Sequence, residues 1–229
     1  MSTEKVHEGT YGEDYHVGRQ TKRALKYRLA RRADEASRLL RRTAGERRWR
    51  ILDLGTADGL MLKRMLQMIE ASFVVGLDLS PELLAFVDDP AIRPALANGL
   101  MLPFAPSSFD LVVATAVIEH ASDPAEMLAE CARVLVPGGF CVVTTPDPFW
   151  ERIATGVGHL PDEGHNETMN LARLRTYVDG AGFEVLSAYK FMMSPWGFPA
   201  ELVIEKVIRG LGLSFVLLNQ IVVARRPER

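Results

Sequence analysis

Cysteine is scarce in this chain: Cys131 and Cys141 are the only two in 229 residues, and neither stands at metal-ligand spacing. That scarcity argues against a disulfide framework and against a structural zinc site, and no metal is expected. Cys131 lies in an amphipathic helical pattern and Cys141 in an apolar run, so both read as small core residues. There is no internal repeat and no low-complexity linker. The opening Met-Ser-Thr-Glu-Lys-Val-His-Glu-Gly has no apolar core, so it does not read as a secretory signal, and a cytoplasmic protein is expected. A large excess of one charge is also missing, since the formal net charge is −2. That balance disfavours a general nucleic-acid-binding surface. The greasiest stretch, 192–218, is broken by Glu201, Glu205, Lys206 and Arg209, and falls short of the roughly twenty apolar residues a membrane span requires.

What is present points to one α/β domain. The run Ile51-Leu-Asp-Leu-Gly-Thr-Ala-Asp-Gly59 reads as a buried strand delivered into a glycine loop, with a helix pattern starting at Leu60. Gly55 and Gly59 are free to take backbone angles closed to other residues and let main-chain N–H groups approach a ligand. A second strand, Phe73 to Leu79, ends on Asp78, where an acid in a doubly wound fold accepts hydrogen bonds from ribose hydroxyls. Ser80-Pro81-Glu82 then reads as a helix N-cap with proline in the first position. The middle glycine of a dinucleotide-binding loop is lacking. Asp58 stands where two phosphates would sit, so Asp53 and Asp58 suit a ligand carrying an ammonium and a sulfonium.

Further strands are expected near Ala95, Leu111, Phe140, Glu184 and Ile221, alternating with helices as in a parallel sheet. Residues 1–48 form a helical arm or lid, helical from Gly18 to Thr43, and 49–229 form the domain. Between Arg19 and Arg50 the chain carries about thirteen Lys/Arg against about three acids. Leu25, Leu29, Ala33, Ala36, Leu39 and Leu40 recur at helical spacing, so the arginines are expected to face water, with an anionic substrate or membrane surface and RNA as alternatives. The insertion at about 192–218 is open to four readings: plain packing, a substrate lid, a dimer surface or an interfacial helix.

Five blocks in order resemble the class I S-adenosylmethionine-dependent methyltransferases of the small-molecule, type 11 kind. They are Ile51–Gly59, Gly76–Ser80, Ala97–Phe104 with Ser107–Asp110, Asp110–His120, and Arg133–Pro146. The resemblance implies a Rossmann-like α/β fold with a seven-stranded, mostly parallel sheet in the order 3-2-1-4-5-7-6. The last strand would be antiparallel, with helices on both faces. It implies S-adenosyl-L-methionine as cofactor, leaving as S-adenosyl-L-homocysteine. Asp53, Gly55, Thr56, Ala57 and Gly59 would cradle the methionine portion, Asp78 would hold the ribose, and Leu79 would pack on adenine. Asn98, Gly99 and Leu100 would frame the adenine edge, and Thr115 or Ala116 would face the methionine amine. Ala57 replaces a frequent glycine, and a positive φ there would store strain of about 1 kcal/mol.

Methyl transfer is an in-line displacement that rests on positioning, and a base is required only for a hydroxyl or carbon-acid acceptor. His120, at the exit of the fourth strand, and His165, in the loop after the fifth, are the candidate bases; the other reading of His120 is that it orders its loop through Glu119, itself a candidate substrate contact. Tyr11 and Tyr15 are candidate substrate contacts in the N-terminal start, ahead of Glu163 and His159. The expected acceptor is small or amphiphilic and methylated at oxygen, and no Asn/Asp-Pro-Pro-Tyr element follows strand four, where Thr115-Ala-Val-Ile118 stands. A cofactor-binding but non-catalytic or membrane-associated partner protein is the alternative. Peripheral membrane contact and a homodimer also remain open.

Overall fold

In a computed structural model the protein is described over residues 12–150, 152 and 169–228. Seven strands form one sheet in the order β3-β2-β1-β4-β5-β7-β6. They are β1 (Trp49–Leu54), β2 (Ala71–Asp78), β3 (Arg93–Leu96), β4 (Phe109–Thr115), β5 (Leu135–Pro146), β6 (Glu184–Phe191) and β7 (Asn219–Arg225). β1 to β5 pair in parallel, whereas β7 runs antiparallel to both β5 and β6. The sheet anticipated from the sequence is present strand for strand.

Near-continuous apolar strands reflect burial on both faces, and alternate residues divide between two cores. Leu52, Leu54, Val112 and Val143 face helices α5 (Pro124–Val134) and α6 (Leu171–Gly180). Ile51, Val74, Leu111 and Val142 face the other way, toward α2 (Arg23–Ala44) and α3 (Leu60–Met65). α5 starts on an Asp123 cap with Pro124 at its first position, and α4 (Pro81–Leu84) starts on Ser80, which accepts from Leu83 N as the Ser-Pro signal requires. Both cysteines are free and buried, as their patterns indicated.

Among the described residues the arm is two helices. α1 (Glu13–Thr21) begins five residues before the expected start, and Lys22 in an extended conformation separates it from α2. α2 buries Ala33, Ala36, Leu39 and Leu40 as its spacing required.

Its arginines do not all face water, which corrects the solvated-face expectation. Arg31 is buried, donating to Glu35 Oε2 at 2.5 Å and to Glu205 Oε2 at 2.7 Å. Arg38 also reaches Glu35, Arg41 pairs with Glu46, and Arg64 of α3 grips Asp34. Much of the cationic excess is therefore consumed internally.

The Arg31 network anchors the insertion. Glu205 and Glu201 lie on α7 (Glu201–Gly210), and both are buried. Glu205 Oε1 accepts from Met192 N, while Glu201 accepts from Met193 N, Ser194 N and the Tyr27 hydroxyl. Tyr189 of β6 donates to Glu35 at 2.5 Å. Burial opposes the charge on Arg31, but Glu35 and Glu205 outweigh it and hold the guanidinium above its ordinary pKa.

Removing one member leaves uncompensated charge in a dry site. Glu205→Ala is expected to lower unfolding free energy by about 3–5 kcal/mol, measured by urea denaturation.

Candidate functional site

β1 and β2 end side by side, with Asp53 opposite Gly76 and Leu54 opposite Leu77. The loop leaving β1 turns on Gly55 at φ 68° and Gly59 at φ 73°, the latter capping α3. A Cβ on Gly55 would come within 2.7 Å of Val117, so the bare backbone lets the ends of β1 and β4 meet. Gly76 does the same for Thr56, whose side chain would stand 2.8 Å from an added Cβ. Ala57 takes φ 53°, so the strain anticipated for an alanine in this place is present.

What offsets that strain is Asp78. Its Oδ2 accepts from Ala57 N at 2.8 Å and its Oδ1 from Ser80 N at 2.9 Å. The carboxylate thus sits in the crevice between the two strand ends, half-buried and held by backbone. Leu79 beside it is 69% exposed, an apolar side chain with one face open beyond the strand end.

Asp53 is the most perturbed group in the crevice. Its side chain is buried, and Oδ1 has no hydrogen-bond partner. Burial pushes its pKa up to about 7, against the opposing influence of Thr56 and Arg19 and with a further upward push from Asp78. An orphaned carboxylate oxygen at the end of a central strand is a receptor for a cationic donor such as an ammonium.

Asp58 is not available for that purpose, contrary to the sequence reading. Its Oδ2 meets His16 Nδ1 at 2.9 Å, its Oδ1 meets Arg19 Nη1 at 3.1 Å, and Leu60 N points at the same Oδ1. His16 also stacks on Phe86, with ring centroids 4.1 Å apart. α1 is thereby pinned over the glycine loop, and Asp58 serves as its anchor. Sequence reasoning missed His16, Arg19 and Phe86; the three-residue spacing of His16 and Arg19, one helical face, was the available signal.

Where adenine was expected from the sequence, Ala97 N donates to Asp78 O at 3.1 Å, which brings the Asn98 loop to the end of β2. Gly99 lets that loop lie against Met127, 3.1 Å from an added Cβ. Asn98 Oδ1 accepts from Leu100 N at 2.9 Å. The oxygen and N–H expected to read adenine are thus paired with each other in a local Asx turn, a common use of asparagine. On the methionine side, the Thr115 hydroxyl turns to Met61 Sδ at 2.8 Å, while Ala116, at φ 51°, donates its N–H to Thr144 O.

His120 closes a 3-10 turn, Ile118–His120, directly after β4, with Glu119 buried beside it. The structure therefore brings His120 and Glu119 to the end of the sheet that carries Asp53 and Asp78. Tyr15 rides on α1, with Arg19 5.5 Å from its ring centroid. Tyr11, His159, Glu163 and His165 lie outside the described residues. Among the described residues no cluster of histidine, cysteine or carboxylate side chains is arranged to hold a metal.

Residues 52–143, which span this crevice from β1 into β5, match the family model described as "Methyltransferase domain". Over those residues the chain carries a methyltransferase domain of the class I S-adenosylmethionine-dependent type. It is 35% identical over 150 residues to a Mycolicibacterium smegmatis protein named "Probable S-adenosylmethionine-dependent methyltransferase", covering 65% of this chain and 56% of that protein. It is 26% identical over 173 residues to the ubiquinone biosynthesis O-methyltransferase of Xanthomonas euvesicatoria, covering 67% of this chain and 70% of the relative. The fold resembles a structure of the Haloferax volcanii Trm112 methyltransferase activator in complex with a methyltransferase. There the TM-score is 0.73 at 20% identity, covering 96% and 99% of the two chains.

The raised Asp53 pKa makes stability depend on pH. Its contribution is complete below about pH 4, where folded and unfolded carboxyls are both protonated, and is lost as pH rises through about 7. Chemical denaturation of the ligand-free protein should show Asp53→Asn removing a decline of about 1 kcal/mol per pH unit between those limits.

Proposed function

We propose that the protein transfers the methyl group of S-adenosyl-L-methionine to a small or amphiphilic acceptor, at oxygen. The observation that carries the reading is the partnerless buried oxygen of Asp53, set against a glycine loop whose backbone is bare. The cofactor supplies an electrophilic methyl carbon on a sulfonium. Asp53 would receive its ammonium, the Gly55–Gly59 backbone its methionine portion, and Asp78 its ribose. Leu79 would cover one face of adenine.

The ordering of these groups is what the chain contributes to the rate, because an in-line displacement gains most from fixed geometry and exclusion of water. α1, pinned through His16 and Arg19, covers the loop from solvent. His120 would take the proton of a hydroxyl acceptor as the new bond to carbon forms and the bond from methyl carbon to sulfur breaks, with Glu119 next to it in the same turn. Oxygen as the acceptor atom is supported by the O-methyltransferase name of the Xanthomonas relative and by the absence of the Pro-Pro-Tyr element after β4.

Cofactor affinity should follow the ionisation of Asp53. Calorimetric titration with S-adenosyl-L-methionine is expected to show binding that tightens by up to about tenfold for each pH unit of rise toward pH 7 and levels off above it, with uptake of the ligand coupled to proton release. Asp53→Asn should abolish that dependence. No heat at millimolar ligand would overturn the reading.

Removal of the base has a separate signature. On an identified hydroxyl acceptor, His120→Ala should lower kcat by roughly 10²- to 10⁴-fold and leave cofactor affinity unchanged. Unaltered turnover and an unaltered pH profile would discard His120 as the base.

A further inference from the structure

Helix α7 is inside out. Its inward positions Glu201, Glu205 and Arg209 recur every fourth residue and are engaged by the α2 network and by β6. The opposite stripe is therefore forced outward, and it is apolar: Val203 is 65% exposed, Val207 55% and Leu211 68%. Trp196 before the helix and Phe215 after it are exposed as well. A monomer surface rarely leaves a continuous apolar patch of this kind without a partner.

We propose that this face docks on an anionic lipid bilayer surface. Charge decides among the occupants. From Met193 to Leu218 the acidic residues are Glu201 and Glu205, both buried, whereas Lys206 is exposed and Arg209 half-exposed. Beside the patch, Gly197 packs against the Tyr27 ring, which brings up the first turn of α2 with Arg23 and Lys26 exposed. Apolar and aromatic side chains rimmed by cations, with carboxylates withdrawn, match the headgroup boundary of a negatively charged leaflet. A two-fold pairing of this face with itself would set Lys206 near its own copy with no exposed carboxylate in the segment to receive it.

No described helix is long and apolar enough to cross a membrane, so the contact is peripheral. The patch also adjoins the chemistry: Trp150, four residues beyond the end of β5, donates its indole N–H to Phe215 O at 2.9 Å. The bilayer would then lie against the flank from which an amphiphilic acceptor enters. Docking itself stands whether or not methyl transfer occurs.

The test is sedimentation of the full chain with phosphatidylcholine vesicles, with and without phosphatidylglycerol. Co-sedimentation with the anionic vesicles, weakened by salt, is expected. The double variant Val203→Glu/Val207→Glu should reduce it by about tenfold or more, and Lys206→Glu by about fivefold, with unchanged circular dichroism and unchanged cofactor titration. Brominated lipid should quench tryptophan fluorescence, and Trp196→Phe should remove most of that quenching. Absence of vesicle binding by the unmodified chain, or equal binding by the double variant, would overturn the proposal. So would a concentration-dependent dimer in sedimentation velocity that the double variant abolishes.

Discussion

The guanidinium of Arg31, sealed between Glu35 and Glu205, decides how the last third of the chain is arranged. A charge in a dry place demands compensation, and the carboxylates that supply it come from α2 and from α7. Once Glu205 turns inward, α7 has no freedom in its rotation about its own axis. Its apolar stripe faces solvent as a consequence of electrostatics, against the usual preference of such side chains. Glu205 accepts from Met192 N and its α7 neighbour Glu201 from Met193 N and Ser194 N, so the insertion, the arm and β6 are held as one unit.

A second carboxylate, Asp58, organises the other end of the arm. It takes His16 and Arg19 from α1 and the first N–H of α3, and so joins a helix that precedes the domain to the loop at the heart of it. Asp53, five residues earlier and equally buried, has one oxygen without a partner. Two acids, one at the end of β1 and one in the loop that follows, thus divide the work by environment: one is satisfied by the protein, the other keeps an oxygen without a partner. The difference comes from what the surrounding elements deliver, since the two side chains are chemically identical.

That division marks where reading the residues succeeded and where it ended. The strands were legible because burial on both faces leaves apolar runs such as Ile51–Leu54 and Leu111–Ala114, and the glycine loop was legible because backbone at positive φ selects glycine. Asp78 was legible as an acid that closes an apolar strand. The fate of Asp58 was not, because His16 lies 42 positions away and one ion pair leaves no periodic trace. The burial of Arg31 was hidden likewise: its partner Glu205 is 174 positions distant, and an arginine on an amphipathic helix looks the same in sequence whether water or a carboxylate receives it. At Asn98 a local hydrogen bond from Leu100 N uses one lone pair of the oxygen assigned to a distant contact, a turn that the sequence reading did not include.

The position of β7 carries a consequence for how the molecule is made. β6 is joined to the sheet through β7 alone, yet it precedes β7 in the chain. As the polypeptide leaves the ribosome, β6 and the helix after it emerge with no edge to join, their acids and apolar side chains in water together. The five parallel strands can already have assembled by then, leaving β5 as a bare margin. Closure waits for Asn219–Arg225 to slide between the two, so the last strand of the sheet to be synthesised acts as its fastener, and a chain cut short before it would carry an adhesive edge.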